Sequence, residues 1–106
     1  DHDHDDFESF EVAVPSDVSP EDLVVRLETA VADHDILRVK GFVHVPGKDM
    51  RMIVQGVGAR IQYHFDRPWV AEEPRETRFV VIGLAGLDHA AITTALVSGP
   101  VLATQG

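Results

Sequence analysis

The sequence predicts an α+β fold: a two-layer sandwich with a mostly antiparallel sheet of about four to five strands and two helices on one face. Three observations carry that prediction. Two segments repeat apolar residues at helical spacing, each behind a capping signal. Three consecutive segments between residues 36 and 66 alternate apolar and polar side chains across short turns. One unbroken apolar run, Phe79 to Ile82, suits a more deeply buried strand.

Taken in order, Asp1 to Asp6 is an Asp/His tract with nothing to bury, and reads as the end of a linker. A single domain is expected over 7–106, because 106 residues are enough for one core. Phe7, Phe10, Val12 and Val14 make a first strand that Pro15 stops. Ser19-Pro20-Glu21-Asp22 starts a helix. Ser19 is the N-cap, Pro20 occupies the first turn, and the two acids complement the positive end of the helix dipole. Leu23, Leu27, Ala30 and Val31 then fall on one face, which predicts a helix over about 20–33.

In the next strand Leu37, Val39, Val43 and Val45 share one face and Arg38, Lys40 and His44 the other, with Phe42 as the exception. Gly41 in mid-strand signals a bulge or a close backbone approach. Met50, Met52 and Val54 alternate with Arg51, Ile53 and Gln55. After Gly56-Val57-Gly58, Ile61, Tyr63 and Phe65 alternate with Arg60, Gln62, His64 and Asp66. The three strands form an antiparallel meander with one face toward water or a partner. Residues 67–77 are the longest loop. Asp88 caps a second helix over about 88–98, with Ala91, Ile92, Ala95 and Leu96 inward and Gly99-Pro100 ending it. Residues 101–106 are a short strand or a frayed tail.

Composition excludes several functions. Eighteen acidic residues against nine basic ones give a net charge of −9, which repels phosphate backbones and anionic membranes. No apolar run reaches the length of a membrane helix, and no secretion signal is present. The absence of cysteine excludes thiolate metal sites in this chain and fits a cytoplasmic protein. Phosphate loops, nucleophile elbows and zinc-protease helices are all missing.

Three groups of residues remain as site candidates. His2 and His4, set among Asp1, Asp3, Asp5 and Asp6, carry the donor types that bind borderline divalent ions, cobalt or zinc among them. The plainer alternative is a solvated acidic linker. His44 and His64, which strand pairing would bring toward Lys40, Arg51, Arg60 and Asp66, make a docking face, an accessory metal ligand or ordinary sheet surface. Trp69 is a lid over one end of the core or a partner anchor. Met50 and Met52 are core fillers, and His34 and His89 are helix-end residues.

Several stretches in order resemble the C-terminal domain of the CobW-type GTPases. They are Arg38-Val39-Lys40-Gly41-Phe42, Gln55-Gly56-Val57-Gly58, Trp69, Arg75-Glu76-Thr77-Arg78-Phe79-Val80-Val81-Ile82-Gly83, and Leu87-Asp88. Gly86-Leu87-Asp88 and the Asp/His lead-in look closest to the cobalamin-biosynthesis branch. The resemblance covers residues 7–98. It implies a metal chaperone whose separate N-terminal domain holds GTP, magnesium and a cysteine metal motif, with cobalt supply to cobalamin synthesis as its role. Neither the phosphate loop nor the cysteine motif lies here, so the chain is expected to be noncatalytic and without a cofactor of its own.

The resemblance thus implies a docking or regulatory domain, with Trp69, Arg60, His44 and His64 at the docking surface. The expected partners are its own GTPase domain, a metal-receiving client, and a second copy in a homo-oligomer. A start at Asp1 fits a fragment or a processed chain. Two other readings compete: a freestanding small-molecule-binding α+β module, and an enzyme using His44 or His64 as a base, for which no partner nucleophile is positioned.

Overall fold

The computed structural model describes residues 6–99. Seven elements follow one another: β1 (Phe7–Val14), α1 (Pro20–Asp33), β2 (Ile36–Val43), β3 (Met50–Val57), β4 (Arg60–Pro68), β5 (Thr77–Leu84) and α2 (His89–Ser98). The five strands form one sheet in the order β1-β5-β2-β3-β4, every neighbouring pair antiparallel. The meander β2-β3-β4 is as expected. The last strand of the described residues, however, is inserted between the first two. β1 and β2 therefore run parallel with β5 between them, joined by α1 as a crossover.

Both helices lie on the same face. Leu23, Leu27 and Ala30 of α1 and Ile92 and Leu96 of α2 share one core with Val12, Val14, Ile36, Val39, Val43, Met52, Val54, Phe79 and Val81. The pleat sends alternate side chains to that core. Along β5, Thr77, Phe79, Val81 and Gly83 are buried, while Arg78, Val80, Ile82 and Leu84 point to the opposite, uncovered face.

Local signals explain the helices. Ser19 Oγ accepts the Asp22 N–H, 3.1 Å away, and Pro20 stands in the first turn. His34 is the C-cap of α1. Asp88 Oδ1 accepts the Ala91 N–H, and Gly99 closes α2 with φ +78°. α2 carries no basic residue in its last turn. Arg26 of α1 supplies the cation instead, its Nη1 donating to the Leu96 and Val97 carbonyls, each at 2.9 Å.

Gly41 marks a close approach. A Cβ there would collide with the Arg78 carbonyl and the Phe79 ring, so Phe79 fills the space a side chain on β2 would need. The bulge in β2 lies elsewhere, between Ile36 and Arg38. It puts Leu37, expected on the core face, out into solvent, and its carbonyl accepts the Gly58 N–H of the β3–β4 turn. Two further expectations are corrected. Met52 is buried, but Met50 is mostly exposed at the strand's end. Tyr63 and Phe65 point to the helix side of β4, yet stay 42% and 40% exposed because β4 is an edge strand that the helices cover incompletely.

Two predictions follow from this packing. Gly41→Ala should lose about 1–3 kcal/mol of stability through overpacking against Phe79. Arg26→Met should lose about 1–2 kcal/mol by leaving the α2 carbonyls without their cation. Urea unfolding followed by circular dichroism measures both. Wild-type midpoints would disprove these assignments.

Candidate functional site

The uncovered face of the sheet is built by the strand residues that turn away from the helices. Three registers run across it: Ser9-Ile82-Arg38-Val57-Arg60, then Glu11-Val80-Lys40-Gln55-Gln62, then Ala13-Arg78-Phe42-Ile53-His64. Val80, Ile82, Phe42 and Ile53 are half-buried there, and Val57 is 63% exposed. A shallow depression of about 350 Å³ opens over Phe42, Val80 and Ile82, with Lys40, Glu11 and Arg78 around it.

The loop after β4 closes one end of this face. A second bulge, between Arg51 and Met52 on β3, leaves Asp66 as the extra residue of β4. Its carboxylate takes both ends of the Arg51 guanidinium, and that guanidinium lies 3.9 Å from the Phe42 ring centroid. Glu73 accepts two hydrogen bonds from Arg67, at 2.8 and 2.9 Å, and the Val70 N–H at 3.0 Å. Arg51 Nη1 stands 3.7 Å from the same carboxylate.

These donors, Arg67 above all and then the Val70 amide, pull the Glu73 carboxyl from 4.5 down to about 2. Arg51 likewise lowers Asp66. Arg75 reaches Asp49, and Arg78 pairs with Glu76 and Glu11.

Trp69 is only 8% exposed, as a lid requires, but it lies outside the main core. Its ring meets His44 edge-on at 6.1 Å, and it borders a second depression, of about 240 Å³, with Phe42, Glu73, Pro74, Glu76 and Arg78. Its indole Nε1 is sealed from solvent with no acceptor among the described residues. His44 is fixed at three points. Its N–H donates to the buried Thr77 Oγ1 at 3.0 Å, its Nδ1 lies 3.2 Å from Ser16 Oγ, and its ring abuts Trp69.

His64 is an exposed residue of β4, and Arg60 begins the same strand. The four expected docking residues thus fall into two groups: His44 with Trp69 at the loop end, and Arg60 with His64 on the edge strand. No hydrogen bond or ion pair among the described residues joins His44 or His64 to Lys40, Arg51, Arg60 or Asp66, the approach that strand pairing suggested; the His44 ring meets Ser16 and Trp69 instead. The side-chain hydrogen bond of His44 is to the Ser16 hydroxyl, and His64 makes none among the described residues.

Among the described residues, no group of three or more His, Cys, Asp or Glu side chains could hold a metal ion. His2 and His4 lie outside the described residues. No helix of the described chain is long and apolar enough to cross a membrane.

Sequence reasoning missed Glu8. It accepts the Gly86 and Leu87 N–H groups at 2.9 and 2.6 Å and stands 3.1 Å from His89 Nε2, while the His89 ring stacks on Phe10 at 4.0 Å. The Leu87 amide is the main cause of its lowered carboxyl pKa. An acid on the same strand face as Phe10 and Val12 was the one available signal.

The fold is a five-stranded antiparallel sheet with both helices on one face and the other face open apart from its loop-capped end. The cobalamin synthesis protein CobW C-terminal domain matches residues 7–98, and the chain belongs to that family. It is 52% identical over 95 residues to a zinc chaperone CobW of Sinorhizobium sp, a match that takes 90% of this chain and 27% of that protein. It is 55% identical over 88 residues to the zinc chaperone CobW of Pseudomonas aeruginosa, taking 83% of this chain and 23% of the other. The chain thus spans about a quarter of the length of these curated relatives. The crystal structure of the Zn(II)-bound YjiA GTPase from E. coli superimposes with a TM-score of 0.66 at 30% identity, over 87% of this chain and 29% of that one. A Zn(II)-bound triple mutant of YjiA gives 0.67 over 88% of this chain and 29% of that one, again at 30% identity.

The loop network predicts acid sensitivity. Glu73 ionises near 2 in the folded chain and near its ordinary 4.5 when unfolded, so its contribution is complete above about 4.5 and is lost as pH falls toward 2. Glu8 and Asp66, also lowered, act in the same direction. Melting temperature should fall over that window. Glu73→Gln should melt lower than wild type at neutral pH and converge with it at pH about 2. Parallel melting curves across the window would show that the loop does not depend on this carboxylate.

Proposed function

We propose that this chain is the noncatalytic docking and regulatory domain of a longer GTP-dependent metal chaperone. The observation that supports the reading most is the match of residues 7–98 to the CobW C-terminal domain, with relatives named as zinc chaperones that extend well beyond it. GTP binding and hydrolysis then belong to a separate segment, and this domain links that segment to a client that receives the metal. The names of the relatives favour zinc over cobalt as the cargo. A cytoplasmic setting accords with this role. The capped loop end (His44, Trp69) and the edge strand (Arg60, His64) are the contact regions, and self-association is a third use of the same surfaces.

In this reading the Asp/His tract with His2 and His4 passes metal weakly between the two segments, because a few imidazole and carboxylate donors bind borderline ions exchangeably.

Deletion of residues 7–98 from the full-length protein separates the alternatives. GTP hydrolysis should persist and zinc delivery to the client should be lost. Loss of hydrolysis would make the domain part of the catalytic unit, and unimpaired delivery would remove its docking role. Calorimetric titration of Zn²⁺ and Co²⁺ into residues 1–106 and 7–106 tests the tract. Binding is expected in the longer chain alone. No binding in either, or equal binding in both, would exclude His2 and His4.

A further inference from the structure

The charges of this acidic chain are unevenly placed. Six of its nine Lys and Arg residues, Arg38, Lys40, Arg51, Arg60, Arg67 and Arg78, belong to strand positions on the uncovered side of the sheet. Glu11 is the carboxylate that the three central registers contribute to the same face. The helix layer carries the opposite sign: Glu21, Asp22, Glu28 and Asp33 are exposed on α1, and its one cation, Arg26, is spent on α2.

The six cations are not equivalent. Arg51, Arg67 and Arg78 are neutralised by Asp66, Glu73, Glu76 and Glu11. Arg38, Lys40 and Arg60 have no carboxylate partner among the described residues. Arg38 and Arg60 share one register with exposed Val57 between them, two strand spacings or about 10 Å apart. Lys40 is next on the same face of β2. Lys40 lines the depression over Phe42, Val80 and Ile82, Arg38 stands one register away, and Arg60 marks the far edge of the same face.

We propose that this face binds an extended acidic protein segment bearing aliphatic side chains. Arg38, Lys40 and Arg60 take its carboxylates, and the depression takes one aliphatic side chain. The inference rests on the docking reading above and names the chemistry of the docked partner. Charge complementarity selects the occupant: three cations without a carboxylate partner among the described residues share one sheet face with an apolar floor, on a molecule whose other face is acidic. A nucleic acid fits less well. The net charge of −9 repels it at long range, and the aromatic ring nearest the cations, Phe42, is already capped by Arg51.

The test is a two-dimensional amide NMR titration of the ¹⁵N-labelled 106-residue chain. The probe is a blocked nine-residue peptide alternating glutamate and leucine. Shifts are expected in β2, β3 and β5 around Arg38, Lys40, Val57, Val80 and Ile82, with the helices unmoved. The double charge reversal Arg38→Glu with Lys40→Glu should weaken binding by about tenfold or more while the rest of the spectrum stays native. Glu21→Lys, on the helix layer, should leave affinity unchanged.

Shifts confined to the helices, equal affinity in the double reversal, or tighter binding of a single-stranded RNA oligonucleotide than of the peptide would each overturn the proposal. So would self-association of the chain through the same residues. Failure here, with zinc delivery still lost on deleting residues 7–98, would place docking on another surface. Failure of both would remove the docking reading itself.

Discussion

The whole architecture depends on β5 being paired along both edges. Its inner side chains Phe79 and Val81 are completely buried, and they hold β1 on one flank and β2 on the other. Without β5, the β1–α1–β2 crossover would have no sheet to close and α2 nothing to follow. Gly41 is the condition for that insertion, because any side chain there would compete with Phe79 for the same volume. A non-local strand set at the centre is costly to form, since its partners close long loops before burial compensates. Once formed, it orders both helices over one face.

That one-sided layering leaves a whole sheet face to be managed with polar chemistry. At one end the solution is an ion-pair network: Arg51 and Arg67 gather Asp66 and Glu73, and the loop they anchor brings Trp69 down beside His44. Exposed ion pairs contribute little singly. Here they share partners, and one carboxylate also accepts a backbone amide, so the loop is fixed by several weak bonds that must break together. The unpartnered indole nitrogen of Trp69 shows that the ring is held by shape rather than by its polar edge.

Much of this was legible locally. The bounds and caps of α1 follow from Ser19, Pro20 and the spacing of Leu23, Leu27 and Ala30, because helix signals are contained within the helix. The meander followed from alternation and short turns. What failed was non-local or depended on a single extra residue. Nothing near Phe79 states that its neighbours are 36–43 and 7–14 rather than the adjacent β4. A bulge shifts the period by one, so Leu37 read as core and emerged in solvent. Tyr63 and Phe65 kept their alternation, but alternation cannot report that the helices cover an edge strand only in part. Glu8 looked like a surface acid because its partners, the amides of Gly86 and Leu87, are almost the whole chain away.

The residues that carry the family resemblance divide into two kinds once their contacts are known. Arg75 ties the loop to Asp49, Thr77 accepts the His44 amide, Arg78 bridges β5 to β1 through Glu11, and Asp88 caps α2. Gly41 and Leu87 pack. Each of these has its reason inside the fold, and a signature made of such residues identifies an architecture rather than an activity. Arg38 and Lys40 stand in the same stretch as Gly41 and have no such reason: their side chains face solvent and meet no carboxylate among the described residues. A long cationic side chain costs entropy to order and gains little alone on an open sheet. Lys40 lines an apolar depression, with Arg38 next to it along β2 and Arg60 two strands away, and no described residue supplies a carboxylate to any of the three.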